Sequence, residues 1–165
     1  MKLTVSILQV DQVTQSYVDW YSNEEVVRYS DNQYRNFTFD GQCSYVKSCL
    51  KNNDLNLYGI FDETTHIGNI LLSGLSSHHK KGELTYVIGD TNYWGKGVAS
   101  FAIAEMIKIG KSEFNLNKLY AGIASGNTGS RKVLEKNGFV LEGTRKQHLF
   151  YSGEFFDQLD FGLIL

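Results

Sequence analysis

Proline is absent from all 165 residues. No pyrrolidine ring pre-sets a turn or cuts a helix, so glycine, asparagine and aspartate must supply the chain's reversals. Cysteine is scarce: there are 2, Cys43 and Cys49. Six residues apart on a segment with helical periodicity, they point to different sides and cannot close a local bridge. There is no CxxC pair, which removes the usual zinc spacing, and no metal is expected. Two unpaired thiols fit a reducing compartment. An excess of one charge is also missing. The 16 Lys and Arg against 18 Asp and Glu give a net charge of −2, so nothing advertises nucleic acid or an anionic membrane as a partner. No apolar run approaches a membrane span. The first residues, MKLTVSILQVDQ, alternate and soon meet Asp11, the pattern of a strand and not of a secretory signal. A soluble, cytoplasmic protein is expected.

Aromatic residues are plentiful, at 13% with 10 Tyr and 10 Phe, while 42% hydrophobic and 21% charged residues are ordinary globular values. The length suits one domain over 1–165, and no repeat or linker divides it. Leu3, Val5 and Ile7 alternate as a half-buried strand. Val13, Tyr17, Trp20 and Tyr21 follow at helical spacing. Residues 22–37 read as a long aromatic-rich loop, which in a compact domain implies function or mobility. Thr38 is placed to cap a second helix with Phe39, Cys43, Val46 and Leu50 on its inner face. Three strand-like runs come next, 55–62, 66–75 and 83–90, with connections short enough for an antiparallel meander. A helix from about Val98 places Ala99, Ile103, Met106, Ile107, Gly110 and Phe114 on one face. A strand at 118–124, a helix over 127–137 closed by Gly138, and two last strands complete the chain. The predicted order is β-α-α-β-β-β-α-β-α-β-β. That is an α/β chain with a mixed sheet, because three consecutive strands exclude pure alternation and the passage 83–124 implies one parallel pair.

Two segments carry chemistry. In Asn92-Tyr93-Trp94-Gly95-Lys96-Gly97-Val98-Ala99-Ser100, a strand gives way to a glycine turn and then a helix. Gly95 and Gly97 let an anion approach the backbone, and the helix start offers unpaired N–H groups. A P-loop would need a glycine ahead of Gly95-Lys96 and Ser or Thr after the lysine. A dinucleotide fingerprint would need glycine where Ser100 stands. A pyrophosphate loop for coenzyme A and a ligand-free glycine turn are the other readings. The second segment runs from Asn127 through Ser130 to Glu135-Lys136-Asn137-Gly138-Phe139.

On these residues the chain resembles the GNAT superfamily of acyl-CoA-dependent N-acetyltransferases, in its RimJ/RimL-like branch. WGKGVA resembles the branch's pyrophosphate loop, with Trp94 where the wider superfamily often has Gln or Arg. N-x-x-S-x-x-x-x-E-K-x-G-F resembles its second CoA motif, with Gly129 where the branch often has alanine. HIGNILL at 66–72 and Gly153-x-x-x-Asp157 add to the likeness, which covers nearly the whole chain in order.

The resemblance implies a GNAT-like sheet that splays between the strands at 83–89 and 118–124 to hold acetyl-CoA as co-substrate. Trp94, Gly95, Lys96, Gly97, Val98 and Ala99 would meet the pyrophosphate. Tyr86, Val87 and Ile88 would meet the pantetheine arm and supply a backbone N–H to the acetyl oxygen, the Asn127 side chain would reach the pantetheine arm, and Ser130 would lie near the thiol. Glu83 is the first candidate base, through water. Ser130 is the candidate acid, with Tyr86 as the fallback. Arg28, Tyr29, Tyr34 and Arg35, with His148 and Asp157 from the far end, are expected to face the acceptor. Alternative readings for some of these residues are a helix cap at Asn127, a solvated charge at Glu83 and a structural strand-end aspartate at Asp157. His66, His78 and His79 invite a metal or base reading, but paired histidines in a polar turn are usually solvated. The acceptor is expected to be a small primary amine, best an amino-sugar nucleotide, given aromatic faces without an acidic tract. A protein N-terminus or a polyamine is the alternative, and a non-catalytic CoA-binding module is the alternative of another class. A homodimer is possible.

Overall fold

The computed structural model describes every residue, Met1–Leu165. The order is β1 (Leu3–Ile7), α1 (Gln15–Asp19), α2 (Glu24–Val27), α3 (Phe39–Lys51), β2 (Asn56–Asp62), β3 (Thr65–Ser76), β4 (Lys81–Ile88), α4 (Val98–Ser112), β5 (Lys118–Ala124), α5 (Thr128–Lys136), β6 (Val140–Tyr151) and β7 (Glu154–Ile164). Seven strands form one mixed sheet in the order β1-β2-β3-β4-β5-β7-β6. All neighbours are antiparallel except β4 and β5. No helix is long and apolar enough to cross a membrane.

Helices cover both faces, and each face has its own core. Ile70, Leu72, Leu84 and Leu119 pack under Ile103 and Met106 of α4 and Leu134 of α5. On the other face Leu57 and Phe61 pack under Tyr17, Trp20, Val46 and Cys49. The pattern on α4 follows from a stripe at i, i+3 and i+4 spacing over 15 residues.

The N-terminal third differs from the predicted order. One helix is expected before residue 22 and a loop after it. The chain instead runs through short pieces, including 3-10 turns at Trp20–Ser22 and Asp31–Tyr34 and the four-residue helix α2. The cause is local capping: Thr14 Oγ1 accepts from Tyr17 N at 3.3 Å to start α1, and Asn23 Oδ1 accepts from Glu25 N at 3.0 Å to restart the chain as α2. Thr38 caps α3 as expected, accepting from Gly41 N at 3.0 Å. The inner face of α3 is rotated from the predicted one. Phe39 and Leu50 are 43% and 44% exposed, and the buried line is Gln42, Val46 and Cys49. A glutamine on the buried side of an amphipathic helix marks the place where that face meets a cavity and not only the core.

Candidate active site

The parallel pair β4–β5 is joined only at Lys81↔Lys118, Gly82↔Leu119 and Glu83↔Tyr120. Beyond Glu83 the strands diverge, and β4 runs to Ile88 with no strand on that side. An unpaired backbone edge needs hydrogen-bond partners from somewhere. A cavity of about 1340 Å³ follows this edge, lined by Tyr86, Val87 and Ile88 on one bank and by Gly126 to Ser130 on the other.

At the cavity's mouth lies the glycine turn. Gly95 and Gly97 have φ of +72° and +83°, and a Cβ on either would meet nothing within 4 Å. Left-handed backbone, not crowding, is what requires glycine here. Gly97 is the N-cap of α4 and contributes no side-chain cap. From Gly95 through Ser100 no backbone N–H donates to a protein acceptor; the first bond of the helix is Phe101 N to Gly97 O at 2.9 Å. These N–H groups stand at the positive end of a 15-residue helix, which suits a bound anion. The turn is braced from outside. Trp94 Nε1 donates to the Ile88 carbonyl at 2.8 Å, and Asn137 Nδ2 donates to Ser100 Oγ at 3.0 Å, tying α5 to the first turn of α4. Lys132 and Lys136 of α5 line the cavity as well. The Lys96 side chain does not line it; its ammonium lies 5.8 Å from the centre of the Tyr93 ring.

Asn127 Oδ1 accepts from Ser130 N at 3.0 Å and caps α5. Asn127→Ala should therefore cost about 1 kcal/mol, a fall of about 2–4 °C in melting temperature, by differential scanning calorimetry without ligand. The Tyr86 hydroxyl donates to the Ser130 carbonyl at 3.4 Å, so these two come together across the gap. Burial pushes that hydroxyl up to about 12. It stays protonated near neutrality and can donate. Glu83 does not join them. It sits at the closed end of the gap, opposite Tyr120, and is not among the lining residues. Burial raises its pKa, Asp160 raises it further, and Arg145 opposes both.

Of the acceptor residues expected from the sequence, Arg28, Tyr29 and Arg35 line the cavity. Tyr29 meets Phe156 edge-on with ring centroids 5.5 Å apart. Tyr34, His148 and Asp157 lie outside the lining. Tyr34 is engaged elsewhere: its hydroxyl donates to the Phe150 carbonyl and its ring stacks on Tyr151. With Tyr151 Oη donating to Asp31 Oδ1 at 3.1 Å and Ser152 N to Gln33 Oε1 at 3.2 Å, this fastens the 28–35 segment to the β6–β7 turn. His148 is exposed on β6. Asp157 pairs with Lys146 at 2.8 Å and accepts from Gln147 N at 2.9 Å, where Gln147 takes a φ of +47°. Lys146 above all holds its carboxyl below the usual range. Its place is the structural strand-end role.

His66 is a core histidine. Its ring centroid lies 5.2 Å from Tyr17, 4.9 Å from Trp20 and 5.1 Å from Phe61, and burial lowers its pKa, which keeps it neutral. His78 and His79 are exposed between β3 and β4. The inner end of the cavity is new relative to the sequence-based expectation. It is lined by Tyr17, Tyr21, Gln42, Tyr45 and Asn69. The available signal was a polar residue at two core-facing positions, Gln42 on the α3 stripe and Asn69 amid HIGNILL. Over the whole cavity, the charged lining is Arg28, Arg35, Lys132 and Lys136 against Glu25 as the one carboxylate.

Residues 4–140 match the acetyltransferase (GNAT) domain family. The chain is similar to the uncharacterized N-acetyltransferase p20 of Bacillus licheniformis, 30% identical over 154 residues that cover 88% of this chain and 83% of that one. Among solved structures it is similar to the spermidine N-acetyltransferase of Vibrio cholerae crystallised with CoA and spermine, with a TM-score of 0.86, 21% identity, and coverage of 99% and 95%. The ribosomal-protein-S5-alanine acetyltransferase of Vibrio fischeri gives a TM-score of 0.87, 24% identity, and coverage of 99% and 93%.

Proposed function

The chain belongs to the GNAT acetyltransferase family, whose N-acetyltransferases depend on acetyl-CoA, and on that premise we propose that it moves the acetyl group directly to a primary amine of an amino-sugar nucleotide, as a one-domain member of the RimJ/RimL-like branch. One observation carries the cofactor half of this reading: the unbroken run of unpaired N–H groups from Gly95 to Ser100, opening on the cavity that follows the free edge of β4. A pyrophosphate matches those N–H groups, with Lys132 and Lys136 nearby for phosphate charge. The amide-bearing pantetheine arm matches the strand edge at Tyr86, Val87 and Ile88, and a backbone N–H of that edge would hold the acetyl oxygen as charge develops on it.

Transfer requires an uncharged amine, so a proton must leave the acceptor before attack, and one must reach the departing thiolate. Tyr86 supplies the latter, being half-buried, protonated and beside Ser130. Glu83 takes the former through water, because it lies behind Thr85 on the same face of β4 and does not itself line the cavity.

The acceptor half rests on charge. With Lys132 and Lys136 given to the pyrophosphate, Arg28 and Arg35 against Glu25 disfavour a polyamine and favour an acceptor that carries phosphate, which the two arginines would pair with. The test is acetyl-CoA consumption over a panel of amino-sugar nucleotides, spermidine, and a peptide with a free N-terminal alanine. An amino-sugar nucleotide should exceed the other two in kcat/KM by about tenfold or more, the scale of one charge-assisted contact. A best acceptor of spermidine or peptide overturns the acceptor half; no consumption with any amine overturns transfer and leaves a CoA-binding module. Tyr29→Ala should raise the KM for the acceptor about tenfold without changing acetyl-CoA affinity by calorimetry, the sign of lost acceptor binding.

A further inference from the structure

Two amide nitrogens at the inner end of the cavity, Gln42 Nε2 and Asn69 Nδ2, are buried with no hydrogen-bond partner in the protein. Both residues are 4% exposed, and both line the cavity. Buried amide donors without acceptors are rare because each forfeits its hydration for nothing in return. Here two line the same cavity, from different elements, α3 and β3.

The Asn69 orientation is fixed from behind. His66 Nε2 pairs with Asn69 Oδ1 at 2.8 Å, so a neutral ring that carries its proton on Nε2 turns Nδ2 away from itself. The position is equally defined. Asn69 stands directly opposite Val87 on β4, and residues directly opposite share a face of the sheet. The amide is thus one strand from the backbone assigned to the acetyl group. Leu71 opposite Thr85 continues the same floor. Around it stand aromatic walls: Tyr21 stacks on Phe37 with centroids 4.1 Å apart.

We propose that Gln42 and Asn69 recognise the acceptor, each donating a hydrogen bond to an oxygen of an amino-sugar ring — a hydroxyl, the ring ether or an acetamido carbonyl — and so hold the ring's amine toward β4. This rests on the amine-acetylation reading above and adds its specificity residues. The chemistry is selective. A sugar presents oxygen acceptors to two donors and a flat apolar face to an aromatic wall. A polyamine presents only N–H donors and positive charge, and would leave both amides unpaired. The rest of the acceptor extends toward Arg28 and Arg35, which are exposed at the outer side.

Gln42→Leu and Asn69→Leu test this with the amino-sugar nucleotide as varied substrate. Each should lower kcat/KM about tenfold, the scale of one neutral hydrogen bond withdrawn from a site built around it, while calorimetric acetyl-CoA affinity is unchanged. Gln42→Leu should not lower the melting temperature without acceptor, since an unpaired buried donor is being removed, whereas Asn69→Leu also takes the acceptor from His66 Nε2 and should lower it by a few degrees with acetyl-CoA affinity unchanged. Gln42→Glu, of the same shape but without the donor, should narrow the preference over spermidine. Unchanged kcat/KM in the leucine variants overturns the assignment alone, with acetyl transfer left standing. So does a fall in both melting temperature and acetyl-CoA affinity, the mark of a structural role. A wild-type protein that acetylates no amine overturns this inference together with the reading beneath it.

Discussion

Gly97→Glu should abolish acetyl-CoA binding while the protein stays folded. The position is open, with nothing within 4 Å of where a Cβ would stand, so the side chain need not disturb the core. It would instead occupy the space in front of the α4 N-terminus, and its carboxylate would take the place of the phosphates. The φ of +83° adds strain of about 1–2 kcal/mol for any L residue. Gly97→Ala carries that strain without the charge and separates the two effects. By calorimetry the glutamate variant should bind acetyl-CoA at least about a hundredfold more weakly, since a charge of the phosphates' own sign is introduced and hydrogen bonds to charged oxygens are lost. The alanine variant should lose stability but keep measurable binding. Equal affinity in the glutamate variant and the wild type would remove the loop from the account.

Glu83→Gln should lower turnover about 10²–10⁴-fold, the usual contribution of a positioned general base, with acetyl-CoA affinity unchanged. The pH dependence follows from the raised carboxyl. Burial first, and Asp160 second, hold its pKa above the ordinary glutamate value. The base works only when deprotonated, so the wild-type rate should fall as pH falls through that raised value, and the variant should lack this acidic limb. The stability consequence has the opposite direction. The folded protein binds this proton more tightly than the unfolded chain, so stability is highest below the unfolded value and declines as pH rises to the folded one. The glutamine variant lacks that decline and should be no less stable than the wild type at neutral pH. A wild-type rate at every pH would take Glu83 out of the chemistry.

What the sequence made legible is local. The glycine turn ahead of α4, the Asn127 cap and the Gly138 stop are each set by backbone demands within a few residues, and all lie where their residues indicate. The splay of the sheet was legible through resemblance, and the β4–β5 register bears out its geometry. The acceptor end was less legible because it depends on pairing between distant segments. Tyr34 looked available from its neighbours, yet its hydroxyl is committed to Phe150, 116 positions away. Asp157 looked available too, but Lys146 and a strained Gln147 claim it. Gln42 and Asn69 become a pair of buried polar residues only once α3 packs over the sheet. The rotated face of α3 has the same origin: its buried side follows a cavity wall as well as an apolar core.

The central claim is that backbone N–H groups at the start of α4 hold acetyl-CoA. Amide resonances followed by ¹⁵N-edited NMR during titration with acetyl-CoA test it most directly. Saturable shifts at Gly95 through Ser100, accompanied by Asn127 to Ser130 across the gap, are the predicted result. Saturation with those amides unmoved and shifts confined to another surface would contradict it.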